Sequence, residues 1–177
     1  MVSPFKDISR PTELYNQVSL ANSFYFDYIL GLQCHNIGQR QQAESYFKKS
    51  ILAKPGFYEG RIAFLKTRLE LKNFSRVLED VDKLKNDERF AFSYYQIKGE
   101  ALFGLKKYKE ALVEFLEANK INNSDVTLIN MMGETFLKLE DFKQALKAFE
   151  ASIQLNDKQP VVLQAIEKLK TNTSKNK

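Results

Sequence analysis

The chain has 177 residues, enough for one domain with a sizeable core, and its 44% hydrophobic and 28% charged content is that of an ordinary globular protein. No apolar run approaches the roughly 18 residues needed to span a membrane, and a single cysteine leaves no intramolecular disulfide. A net charge of +5 permits anionic partners without demanding them, and the one histidine builds no metal site alone.

The first residues, Met1-Val2-Ser3-Pro4-Phe5-Lys6, lack the apolar stretch of a signal peptide, so a cytoplasmic location is expected. Between Thr12 and Leu20, the residues Leu14, Tyr15, Val18 and Leu20 share roughly one helical face. That pattern fits a short capping helix within segment 1–23, or an extension of the helix that follows. From residue 24 the chain becomes self-similar. Gly31, Leu65, Gly99 and Gly133 stand 34 apart, as do Ala43, Val77, Ala111 and Ala145. Four units run 24–57, 58–91, 92–125 and 126–159.

The first unit carries Leu30-Gly31, Cys34, Gly38, Ala43, Phe47, Ser50 and Pro55. Cys34 falls at a packing place and is expected to be buried. The second unit is degenerate: it keeps Phe64-Leu65 and Phe74, but has Val77, Val81 and Leu84 where the others have a small residue, a large aromatic and a small residue. In the third unit, Tyr95, Leu102 and Phe103 lie on a helical segment that Gly104-Leu105-Lys106-Lys107 breaks. Ala111, Phe115 and Ala118 follow at spacings of four and three, on one face of a second helix. Asn122-Asn123-Ser124-Asp125 closes the unit with turn chemistry. The fourth unit repeats this with Met132-Gly133, Phe136, Phe142, Ala145, Phe149 and Ser152. Segment 160–177 reads as one more helix, with Pro160 in its first turn and a polar outer face, ending in a frayed tail from Thr171.

Two antiparallel helices approach closely only where small side chains meet, which accounts for the glycines on first helices and the alanines on second ones. Phe47, Phe115 and Phe149 fill the remaining space, each contributing ~1.5–3 kcal/mol by burial. No unit buries its apolar face alone, so stability is a nearest-neighbour sum.

The glycine or alanine on helix one, the A-x3-F-x2-A/S on helix two and the period of 34 resemble tetratricopeptide repeats. The resemblance implies an all-α, right-handed solenoid of antiparallel helix pairs. The chain departs from the family pattern in having no tryptophan, and in keeping the terminal proline only as Pro55.

In that family the first helices line a concave groove, and protein or peptide ligands lie along it. The matching places are Tyr25, Tyr28, Leu32, His35, Ile62, Lys66, Leu69, Gln96, Glu100, Phe103, Asn130 and Glu134. The N-terminal half of this set is aromatic and apolar and the C-terminal half polar, which points to an apolar anchor near Tyr25 and Tyr28. The competing reading is that the segment before Asn22 folds over these tyrosines and buries them. The lysine, arginine and asparagine set that clamps chaperone C-terminal carboxylates in some repeat domains is missing: Tyr28, Leu32, Ala63, Ser93 and Ile97 stand in its place.

The expected function is a non-enzymatic protein–protein interaction module, an adaptor or assembly scaffold. A self-associating scaffold or homodimer through the N-terminal segment is the alternative within that class. RNA or anionic-surface binding through the basic outer face is disfavoured, because Lys48, Lys49, Lys107, Lys109, Lys143 and Lys147 alternate with glutamates. No nucleophile elbow, phosphate-binding glycine loop or metal-ligand spacing occurs, so no enzyme activity, cofactor or metal is expected.

Overall fold

A computed structural model describes the backbone of residues 11–85 and 87–175 and the side chains of residues 23–85 and 87–171. The described elements are helices α1 (Pro11–Asn36), α2 (Arg40–Ala53), α3 (Tyr58–Glu70), α4 (Phe74–Val81), α5 (Ala91–Gly104), α6 (Tyr108–Ile121), α7 (Val126–Lys138), α8 (Phe142–Leu155) and α9 (Pro160–Lys175). Single 3-10 turns at Asp82–Leu84 and Glu88–Phe90 join α4 to α5. The chain forms two compact units, Met1–Thr67 and Arg68–Lys177, with the division falling inside α3.

In the first unit α1 is one continuous helix from Pro11. Residues 11–23 are therefore an extension of the first repeat helix and do not fold back over the tyrosines. The apolar face read at Leu14, Tyr15, Val18 and Leu20 lies outside the described side chains. Helices α1 and α2 pack as a pair, with Ala43, Phe47 and Ser50 buried between them. A Cβ built on Gly31 would stand 2.5 Å from the Phe47 ring, so only glycine leaves room for that ring. Cys34 is half-buried, contrary to expectation, because it sits on the flank of α1 rather than on the line facing Phe47.

The second unit repeats the device. A Cβ on Gly99 would meet Phe115 at 2.5 Å, and one on Gly133 would meet Phe149 at 2.5 Å. Around Phe115 a core of Leu102, Ala111 and Ala118 receives Leu128 and Met132 from α7. Around Phe149 and Ala145 the second core receives Val162, Ile166 and Leu169 from α9. The register place of those glycines falls on Glu167 in α9, which is exposed. A further helix bearing a ring could not seat there. The helix runs past Thr171 to Lys175.

Four turns share one geometry. Gly38, Lys72, Lys106 and Glu140, again 34 apart, have φ of 81°, 58°, 63° and 61°. The residue after each donates its backbone N–H back to the helix, at 2.8–2.9 Å, to the carbonyls of Cys34, Arg68, Leu102 and Phe136. These are Schellman caps, which need one left-handed residue. The exits from α2, α6 and α8 also match: Lys54, Asn122 and Asn156 have φ of −137°, −139° and −149° and donate their backbone N–H to the carbonyls of Ser50, Ala118 and Ser152. Proline follows only the first of these, so the exit does not depend on it.

The second repeat departs. Helix α4 has 8 residues where α2, α6 and α8 have 14 each. Val77, Val81 and Leu84 are nonetheless all fully buried. The Arg68 guanidinium donates to Asp80 Oδ2 at 2.6 Å, tying the end of α3 to α4. Asp80 also receives Lys83. Burial opposes the charge on Asp80, but these two cations hold its carboxyl below the ordinary aspartate value.

Candidate partner-binding surface

The twelve residues expected on the groove fall into the two units, each described by itself. In the first unit Tyr25 is 52% exposed, Lys66 is exposed, and Tyr28, Leu32, His35 and Ile62 are half-buried. Tyr25 and Tyr28 stand one turn apart on α1, with ring centroids 6.2 Å from each other. Tyr28 is the keystone of an aromatic cluster. It meets Phe57 edge-on at 5.0 Å and Phe47 at 5.8 Å, while Phe24 meets Phe57 at 5.1 Å. Each such contact adds ~0.5–1.5 kcal/mol beyond burial. Lys54 Nζ lies 4.4 Å from the Phe24 ring, a cation–π contact at the rim. Burial pushes the Tyr28 phenol above its ordinary pKa, and Glu59 and Tyr25 push in the same direction, so it stays a neutral hydrogen-bonding group. Phe24 and Phe57 were not singled out from the sequence. The available signal was an aromatic at position 57, where the frame elsewhere has Ala91, Asp125 and Gln159.

In the second unit the expected set divides. Leu69 and Gln96 are buried and belong to the packing, so both leave the candidate surface. Glu100 and Phe103 are half-buried, and Glu134 is exposed. Phe103 packs on the core around Phe115 and meets Tyr108 at 5.3 Å. Asn130 donates from Nδ2 to Gln159 Oε1 at 2.6 Å, and Gln159 Nε2 donates to the carbonyls of Ser152 and Asn156. Asn130 therefore braces the turn between α8 and α9, while its Oδ1 is buried with no hydrogen-bond partner among the described residues.

A polar chain that the sequence did not reveal crosses from the broken repeat to the next one. The Tyr94 hydroxyl donates to Asp82 Oδ1 at 3.1 Å, Lys98 Nζ donates to the Tyr94 oxygen at 3.1 Å, and Lys98 pairs with Glu114 at 2.9 Å. Burial opposes the Lys98 charge, but Glu114 and Tyr94 outweigh it and raise the ammonium pKa above its ordinary value. Beside this chain lies a cleft of about 380 Å³, lined partly by Leu78, Leu102 and Val113. The outer lysines form mixed-sign pairs: Lys107 with Glu110, Lys120 with Glu117, Lys170 with Glu150. No helix among the described residues is long and apolar enough to cross a membrane.

Helix pairs in a frame of 34, three of them wedged by a ring over a glycine and each turned by a left-handed cap, define an all-α helical-repeat fold. The family model of the tetratricopeptide repeat matches residues 92–125 and 126–159. The fold agrees with TTC0263, a thermophilic TPR protein of Thermus thermophilus, at 19% identity, TM-score 0.73, and coverage of 85% of this chain and 82% of that one. It agrees with pilF of Pseudomonas aeruginosa at 23% identity, TM-score 0.74, and coverage of 90% and 72%. YrrB, described as a TPR protein with an unusual peptide-binding site, is similar at 16% identity, TM-score 0.68, and coverage of 87% and 78%. No curated protein matches the sequence. Residues 92–159 therefore carry two tetratricopeptide repeats, and the chain as a whole has the fold of tetratricopeptide-repeat proteins.

Proposed function

We propose that this chain is a non-enzymatic adaptor or assembly scaffold that holds a segment of a protein partner against the first-helix face of its first unit. The observation that carries the reading is Tyr25. It is half out of the surface at 52% exposure, on the edge of a cluster whose other rings hold one another in place. A large, rigid side chain with a polar tip offers contact area at low entropic cost. Ile62 and Lys66, half-buried and exposed on α3 at the groove places of the family frame, add an aliphatic side chain and a cation, which favours an apolar anchor residue with an acidic flank in the partner. Solved structures of the same fold include one with a peptide-binding site, which supports the class of ligand.

The test is capture on the full chain, identification of the retained protein, and titration of its bound segment. Tyr25→Ser is the informative variant, because Tyr28 is engaged with Phe47 and Phe57 and its loss would also cost stability. Tyr25→Ser is expected to weaken the titrated segment about tenfold or more with helicity unchanged. An affinity that ignores Tyr25→Ser removes this reading.

A further inference from the structure

We propose that the outer face of the first helix pair joins two copies of this chain into a two-fold dimer, through Phe26, Leu30 and Ile37 on α1 and the turn after it. The argument starts from register. Phe26, Tyr94, Leu128 and Val162 occupy one place in the frame of 34, and Leu30, Lys98, Met132 and Ile166 occupy another. In the second unit Tyr94, Leu128, Met132, Val162 and Ile166 at these places face the preceding pair. Leu128 and Met132 pack on the core of α5 and α6, Val162 and Ile166 pack on the core around Phe149, and Tyr94 bonds to Asp82. Tyr94 and Leu128 are accordingly 4% and 0% exposed. In α1 the same two places hold Phe26 at 72% and Leu30 at 39% exposure, and Ile37, in the turn after the helix, is 70% exposed.

This is a repeat-stacking face on which no preceding pair packs among the described residues. The residues just before it do not supply one, because 11–36 form a single helix where a second helix and a turn would have to stand.

A second copy is the occupant that the chemistry fits. The exposed residues of α1 from Tyr25 onward are Tyr25, Phe26, Leu30, Gln33 and Asn36, none of them charged, so the face meets its own image without like-charge repulsion. The stripe from Phe26 to Ile37 is about 16 Å long at helical rise, and an antiparallel two-fold pairing sets Phe26 of one copy against Ile37 of the other. A two-fold pairing uses the same face on both copies and is closed, so association stops at two.

Sedimentation velocity on the full chain tests this, from micromolar concentration upward. The expected mass is twice the chain's 20.5 kDa. Phe26→Lys and, independently, Ile37→Lys should each return the single-chain mass with the helical circular dichroism unchanged. Leu52→Lys, an exposed change on α2, should leave the dimer intact. Ile37 lies in a turn, so its variant still decides the matter should Phe26→Lys perturb folding. A wild-type chain that stays at single-chain mass, or a dimer that survives both lysine variants, overturns the proposal. The readout is independent of Tyr25, so it stands or falls separately from partner capture.

Discussion

The second and third repeats share a frame, yet they fill it in opposite ways. In the third, nothing stands at position 99 and a phenylalanine fills position 115. In the second, a leucine stands at 65 and a valine at 81, both fully buried. Two arrangements of volume thus satisfy one register, but only the ring-over-glycine form accompanies a full-length second helix. The valine form accompanies a helix of 8 residues and two 3-10 turns. Conformity to a repeat is therefore a matter of paired volumes, and single positions are weak guides to it.

The sharpest way to break the contrast is Phe115→Ala, which should cost ~3–5 kcal/mol by urea unfolding. Gly99→Leu alone should cost ~1–3 kcal/mol by overpacking, because its Cβ would already meet the Phe115 ring at 2.5 Å. Combining Gly99→Leu with Phe115→Val imports the volumes of the second repeat and should cost less than the sum of the two single changes. Strict additivity in that cycle would show that the two positions do not trade volume.

The broken repeat is held by charge, so pH separates it from its neighbour. Asp80→Asn should cost ~1–2 kcal/mol at neutral pH, since the Arg68–Asp80 ion pair in a partly buried site is lost. The Asp80 pKa is depressed in the folded chain, so its contribution is present above the unfolded value of about 4 and lost as pH falls through the folded value. The melting temperatures of wild type and Asp80→Asn should converge below about pH 4. An unchanged gap down to pH 2–3, roughly one unit past the unfolded value, would remove the ionic account. Lys98 has the opposite sign: its raised pKa gives stability that is complete below about pH 10 and lost on further alkalinisation.

Smaller effects test what the repeats have in common. Lys106→Gly should stabilise by about 1 kcal/mol, because a side chain at φ 63° is strained where glycine is not. A lower melting temperature would mean that the lysine contributes contacts outweighing the strain. Ser50→Ala should stabilise by up to about 1 kcal/mol, since its buried hydroxyl finds no hydrogen-bond partner among the described residues and Ala118 fills the same place in the third repeat. A loss of stability would reveal an unseen partner for the hydroxyl.

The frame itself was legible because glycine and phenylalanine at 31/47, 99/115 and 133/149 are a sterically forced pair, and such pairs repeat in sequence as they do in space. The break in α4 was not legible. Val77, Val81 and Leu84 keep helical spacing through 84, and nothing local announces that Tyr94, from the next helix, takes the Asp82 carboxylate. The candidate surface was half legible for a related reason. Helical phase places Tyr25 and Tyr28 on one side of α1, but Tyr28 is drawn inward by Phe57, which belongs to a turn and has no phase. Gln96 and Leu69 have the expected phase, and neighbouring elements cover them.

A stack of like units has no natural length, since each new pair presents the same invitation as the last. Here the invitation is the bare backbone at 31, 99 and 133, and it is withdrawn at 167, where a carboxylate stands out into water. A carboxylate there closes the seat to a ring, and Glu167→Gly would reopen it.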